Sequence, residues 1–302
     1  MSEPTLRILS LGAGVQSTVL ALMACDGTLQ KPDAAIFADT GWEPKAVYEQ
    51  VDRIEAELTK AGIPLYRVTA GNLHDDTLDP AHRYGSIPWY VRNPDGSRGL
   101  GRRQCTKEYK VMPINRKVRE LLGAAPPDFR YVPRDGRHAE QWIGFSYDEI
   151  TRVNDKQRNL YTTHRYPLIE LSMDRNACKA WLNSRGWGHT VKSACIGCPF
   201  NGNRQWRDMR DNRPEEWNAA VEFDRQIRNG GGKQGMVGEA YLHNSCVPLD
   251  LAPIDRVLSR DVKEDQMTIF EELLIQEEGE PDGCSPYGCR SGLPIDLDEV
   301  EV

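Results

Sequence analysis

The chain opens on two apolar runs separated by glycines. Leu6-Arg-Ile-Leu-Ser-Leu11 reads as a strand, Gly12-Ala-Gly14 as a turn, and Val15 to Cys25 as an apolar helix. Ala34-Ala-Ile-Phe-Ala38 is apolar throughout, the pattern of a strand covered on both faces of a parallel sheet. Pro44 then starts a helix to about Lys60, with Val47, Val51, Ile54 and Leu58 on one face. Leu65–Thr69 follows as a third strand, Gln141–Phe145 as a fourth and Arg165–Ile169 as a fifth, with a helix from Pro113 to Leu122 before the fourth. Asp174 caps a helix through Leu182. This order predicts a doubly wound parallel α/β sheet of five strands, order 3-2-1-4-5, over residues 1–186. Residues 71–103 have little periodicity and many Gly and Pro breakers, and read as a long loop or lid. Residues 187–260 read as a helical, cysteine-bearing extension that includes a helix from Pro214 and a flexible glycine loop at Gly230–Gly235. Residues 261–302 read as an acidic, mobile tail.

The first turn is also the first candidate for chemistry. Gly12 and Gly14 carry no Cβ, so the backbone can turn tightly and present bare N–H groups, and the helix that follows adds unpaired donors and a positive dipole end. An anion suits that place, although two glycines alone also fit any strand-to-helix turn. The second apolar strand ends in Asp39-Thr40-Gly41, a polar tip beside the first turn, where ligands of such sheets bind. An ordinary capped turn, with Asp39 bonding backbone, is the alternative.

Charge changes the picture in one respect. The net charge of the 302-residue chain is −7, yet thirteen acidic residues against Lys263 and Arg290 lie from Asp261 onward, so the body before them is mildly basic. Nine basic residues between Arg92 and Arg119, Arg102, Arg103, Lys107 and Lys110 among them, suit nucleotide phosphates or a nucleic-acid backbone. No basic-then-apolar leader and no membrane-length apolar stretch is present, so the chain is expected to be soluble and cytoplasmic, with no membrane partner.

Eight cysteines in such a chain argue for metal or catalysis more than for disulfides. Cys195-Ile-Gly-Cys198-Pro can aim two thiolates at one metal or at two corners of a cluster, which is half of a site. Cys105 and Cys246, in polar segments, are the best candidates to complete it. Cys25 and Cys178 lie on apolar helix patterns and read as core residues. Four thiolates suit tetrahedral zinc or a four-iron four-sulfur cluster. Cys284 and Cys289 stand in the tail, where they could swing toward a site, pair with each other, or be incidental.

Several of these segments carry a family resemblance. Ser10-Leu-Gly-Ala-Gly-Val-Gln-Ser17 resembles the pyrophosphate loop of the adenine-nucleotide α-hydrolase superfamily, which holds PP-loop ATP pyrophosphatases, thiolation enzymes and phosphoadenosine phosphosulfate reductases. It departs from the commonest form, which has Lys and Asp where Val15 and Gln16 stand. Phe37-Ala-Asp-Thr-Gly-Trp-Glu43 is similar to the second strand tip of the reductase branch. Arg103-Gln-Cys-Thr, with Lys110 and Pro113 beyond it, resembles a segment shared with the ATP pyrophosphatase of DNA phosphorothioation systems. Gly144, Glu149 and Arg152 match the spacing of another family segment, though an acid and a base three apart also make an ordinary surface pair.

The resemblance implies nucleotide contacts from Ser10, Gly12, Ala13, Gly14, Val15, Gln16, Ser17, Asp39, Thr40, Gly41, Gly144 and Glu149. It implies catalytic roles for Arg102, Arg103, Lys107, Lys110 and Arg152, and a cluster on Cys105, Cys195, Cys198 and Cys246. The expected activity is sulfur transfer: ATP adenylates an acceptor, which could be tRNA, DNA or a small molecule, and a sulfur supplied by a donor displaces AMP. Two alternatives stand beside it. One is reduction of phosphoadenosine phosphosulfate or another adenylyl sulfate by Cys284 or Cys289, although the family's Glu-Cys-Gly tail is absent. The other is a nucleotide-binding module with structural zinc.

Overall fold

The computed structural model describes residues 3–82, 87–153, 159–230 and 237–256. Strand β1 (Leu6–Leu11) leads into helix α1 (Val15–Cys25), and β2 (Ala34–Asp39) into α2 (Lys45–Lys60). β3 (Leu65–Thr69) follows. The expected lid then contains a short helix α3 (Leu73–Leu78) and two three-residue strands, β4 (Tyr90–Arg92) and β5 (Arg98–Leu100). A π-helical turn, Lys107–Val111, runs without a break into α4 (Met112–Leu121). β6 (Ala139–Trp142), a 3-10 turn Tyr147–Arg152 and β7 (Thr162–Arg165) come next. The turn α5 (Pro167–Glu170) precedes α6 (Arg175–Asn183), α7 (Asn203–Asn212), α8 (Pro214–Gln226) and a last strand, β8 (Glu239–Tyr241).

The five-stranded sheet has the order β3-β2-β1-β6-β7, with every neighbouring pair parallel. Counting its own strands alone, this is the predicted succession, and β4 and β5 only shift the numbering. Both faces are covered. Leu9, Leu11, Ala35 and Phe37 point into a core with α1, α2 and α6, while Ile8, Ile36 and Ala38 point the other way onto Ile114, Val118 and Leu122 around α4. That is the period of two expected of strands, applied to a sheet buried on both sides. Helix α1 lies deep in the first core, buried from Val15 to Ala24.

Three expectations need correction. The fifth strand lies at Thr162–Arg165, before the predicted Arg165–Ile169, because Pro167 starts a helical turn and Leu168 is buried from it. The fourth strand starts at Ala139 and stops at Trp142, short of Phe145. The lid is not structureless: β4 pairs antiparallel with β5 on one side and with β8 on the other, which ties residues 90–92 to residues 239–241. Three-residue strands whose partner is so distant leave no periodic trace. Much of Gly230–Gly235 and all of the segment from residue 257 to the end lie outside the described residues, with Cys284 and Cys289.

Candidate functional site

At the carboxyl end of β1 the backbone turns through Gly12, Ala13 and Gly14, with Ala13 in the left-handed region at φ 55°. Gly14 is extended and precedes α1 with no side-chain cap. The first helical bond in the turn is Thr18 N–H to the Gly14 carbonyl at 3.0 Å, which leaves the amides of residues 15–17 without helical acceptors. The Ser17 and Thr18 hydroxyls donate to that same carbonyl, at 3.3 and 2.7 Å. The Ser10 hydroxyl is buried and has no hydrogen-bond partner among the described residues. A concave set of donors at a helix N-terminus, with an orphaned hydroxyl behind it, has the chemistry of an anion site.

The turn is held from behind by the segment after β6. A Cβ on Gly144 would lie 3.0 Å from Ser17 N and 3.2 Å from Ser17 Cα, so only glycine lets the two backbones approach this closely. Glu149 Oε2 accepts from the Gln16 amide at 3.1 Å, and from the Ser146 N–H at 3.1 Å and hydroxyl at 3.0 Å; the N–H bond is one half of a capping box, whose other half runs from the Glu149 backbone N–H to the Ser146 side chain. Its other oxygen pairs with Arg152, whose guanidinium lies 4.5 Å from the Phe145 ring. Both side chains of this pair are under a tenth exposed. Gln16, Gly144, Glu149 and Arg152 are thus brought together, as a buried brace for the turn.

The tip of β2 carries a second constellation. Asp39 Oδ1 accepts from the Gly41 N–H and from the Tyr48 hydroxyl, both at 2.8 Å, and burial together with that carboxylate pushes the Tyr48 phenol up. Gly41 has φ +70° and lies against Asn72, where a Cβ would stand 3.1 Å from Asn72 Cα. Beyond it, the wholly buried Glu43 carboxylate accepts from Thr40 Oγ1 at 3.2 Å and from Cys195 Sγ at 3.6 Å. It also pairs with Lys110 Nζ at 3.4 Å. Cys195 Sγ and Thr40 Oγ1 are 3.3 Å apart.

The cysteine turn itself lies on Trp42. Ile196 N–H donates to the Trp42 carbonyl at 3.1 Å, and a Cβ on Gly197 would come within 2.1 Å of the Trp42 ring. The glycine between the two cysteines is there because an indole occupies its side. Cys105, Cys195 and Cys198 all belong to one buried apolar core with Trp42, Trp89, Tyr109 and Trp206. Cys246 is buried nearby in sequence to β8, at φ 53°, and burial pushes its thiol up against the pull of Arg98 and Arg92. Among the described residues no three His, Cys, Asp or Glu side chains are grouped so as to hold a metal ion. Of the four expected ligands, Cys195 and Cys198 share one turn and that core with Cys105, and Cys246 lies buried beyond β8.

The cations divide as well. Lys110 is buried against Glu43, Arg103 lies 5.0 Å from the Phe200 ring, and Arg102 is exposed. Cys25 is half-buried with its thiol pushed up to about 11 by burial, and Cys178 is fully buried with its thiol at about 12 for the same reason, as expected of packing residues.

Sequence reasoning missed three residues here. Glu43 was in view only as the last residue of the Phe37–Glu43 motif, with no role assigned to it. Gln50, whose amide reaches the Ala13 carbonyl and whose oxygen accepts the Val191 N–H at 2.8 Å, reads in the sequence as one polar position on a helix. Ser193, next to Gly14, has no local signal at all. Compared with protein-family models and with curated proteins, the chain matches none.

Proposed function

We propose that the chain is an adenine-nucleotide-dependent sulfur-transfer enzyme of the PP-loop type. The observation that carries this reading is the uncapped turn Gly12–Gly14 at the head of α1, with the buried, unpartnered Ser10 hydroxyl behind it and a cysteine-bearing turn across the neighbouring strand tip. The turn is suited to the phosphates of ATP, because fixed N–H dipoles cost no reorganisation as negative charge builds on a departing pyrophosphate. An acceptor oxygen attacks the α-phosphorus, the bond to pyrophosphate breaks, and the adenylated acceptor becomes open to displacement of AMP by a sulfur nucleophile. Glu149 and Arg152 act in this reading through Gln16 and Ser17, holding the turn in shape, and Lys107, Arg102 and Arg103 lie on the segment that enters the Lys110 turn.

An iron–sulfur cluster on Cys105, Cys195, Cys198 and Cys246 belongs to the proposal as the group that would bind the transferred sulfur. What supports it is that three of these thiols share one buried core. A nucleic acid as acceptor and a protein as sulfur donor remain parts of the same proposal, supported by the basic stretch from Arg92 to Arg119.

The test is purification without oxygen, assay of iron, sulfide and zinc, and incubation with ATP or with phosphoadenosine phosphosulfate. Pyrophosphate release from ATP is expected, and its loss on Gly14→Val follows because a side chain would fill the turn. Sulfite from the sulfonucleotide in place of pyrophosphate would mark a reductase, and zinc with neither product a binding module.

A further inference from the structure

The amides at a helix N-terminus face an anion from one side only, and the turn Gly12–Gly14 with the head of α1 supplies the donors of that side. The segment that leads to the cysteine turn lies against Gly14. A Cβ placed on Gly14 would be 3.9 Å from both Ser193 N and Ser193 Cβ. The Ser193 hydroxyl is a single bond from that Cβ, so each of its rotamers keeps it beside the turn. Gln50, itself buried, fixes this approach. Its amide donates to the Ala13 carbonyl and its oxygen accepts the Val191 N–H at 2.8 Å, which ties the turn to a residue two positions before Ser193. Both ends of the side-chain amide are used, one as donor and one as acceptor, so a glutamate would lose the first bond. Ser193 is 8% exposed, and its hydroxyl has no hydrogen-bond partner among the described residues. Ser10, in the strand that enters the turn, is in the same condition. Two buried hydroxyls, one from each segment, thus stand at one turn of backbone. Each is costly unless a ligand satisfies it, and a phosphate offers acceptor oxygens to both.

We propose that Ser193 is a phosphate-binding residue supplied by the extension, its hydroxyl donating to the anion that the glycine turn holds. The proposal rests on the nucleotide reading of that turn and names the second segment of its phosphate site. It also gives the extension a part in binding that is separate from its cysteines.

The experiment is equilibrium binding of pyrophosphate, ATP and adenosine to the full chain and to Ser193→Ala. A hydrogen bond from a buried hydroxyl to a charged phosphate predicts that Ser193→Ala weakens pyrophosphate and ATP binding by about 10-fold and leaves adenosine binding unchanged. The same variant is expected to keep or raise the urea midpoint of the unliganded protein, since it removes an unsatisfied buried group, whereas loss of a hydroxyl that serves the fold would lower it. A second measurement uses the unmutated chain: pyrophosphate is expected to slow amide hydrogen exchange at residues 192–194 as well as at residues 12–18. Pyrophosphate and ATP bound as tightly by Ser193→Ala as by the parent chain, a lowered urea midpoint in the unliganded variant, or protection confined to residues 12–18 overturns this proposal alone. A parent chain that binds neither pyrophosphate nor ATP overturns the nucleotide reading beneath it.

Discussion

The two apolar cores of this molecule are built on opposite principles. The first, around α1, is made mostly by β1, β2 and α2, elements that follow one another in the sequence with the periodicity of their own secondary structure, and is closed by α6 and Trp187. The second gathers Trp42, Leu73, Trp89, Cys105, Tyr109, Cys195, Cys198, Trp206, Phe223 and Ile254, a set that is rich in aromatic rings and drawn from segments far apart in the chain. The candidate site lies along the seam, with the glycine turn rooted in the first core and the cysteine turn in the second. Shape in the first core is set by the pattern of the backbone. In the second it is set by large side chains that happen to meet.

The strongest way to break the comparison is Trp206→Ala. Trp206 is completely buried in the second core, and its truncation is expected to cost about 3–5 kcal/mol in urea denaturation. If the cores differ as described, alkylation during that titration reaches Cys105, Cys195 and Cys198 at lower urea than Cys178. Simultaneous labelling of all four would show that the two cores unfold as one. A smaller perturbation aims at the seam. Gly197→Ala drives a methyl group into the Trp42 ring, and overpacking of this kind is expected to cost about 1–3 kcal/mol and to shift the Trp42 fluorescence. An unchanged stability and spectrum would mean that the cysteine turn is not seated on the indole. The smallest effect is expected at Cys178. With its thiol at about 12, it holds its proton through the neutral range, so iodoacetamide at pH 8 should leave it unmodified in the folded protein while labelling it readily in urea.

The same contrast decides what could be read from the sequence. The glycine turn, β1, β2, β3, α2 and the helix starts at Asp174 and Pro214 were legible because each is announced within a few residues by an apolar run, a breaker or a capping side chain. β7 was misplaced since Thr162-Thr-His-Arg165 is an edge strand with no apolar alternation, while the apolar Leu168-Ile169 next to it belongs to a helical turn. The Gly144–Arg152 segment was legible as a spacing, but its partner was not: nothing local says that Glu149 accepts from Gln16, or that Gly144 exists to admit Ser17. The lid looked structureless because β4 and β5 are three residues each and the second partner of β4 is β8, far along the chain. The cysteines were conspicuous as residue types, but Glu43, Lys110 and Thr40 around Cys195 depend on folding that no window of sequence contains.

The scattered origin of the second core has a consequence for the chain as it is made. At roughly 5–20 residues per second, the ribosome needs on the order of ten seconds to go from Cys105 to Ile254, the last residue of this core among the described residues. Throughout that interval the Cys105 sulfur, and later Cys195 and Cys198, lack part of the walls that will enclose them, and face oxidants and stray metals, whereas the first core can close once Trp187 is made. Protection of these thiols is therefore a problem of birth more than of the mature protein, and slow translation through the last third of the message would lengthen it.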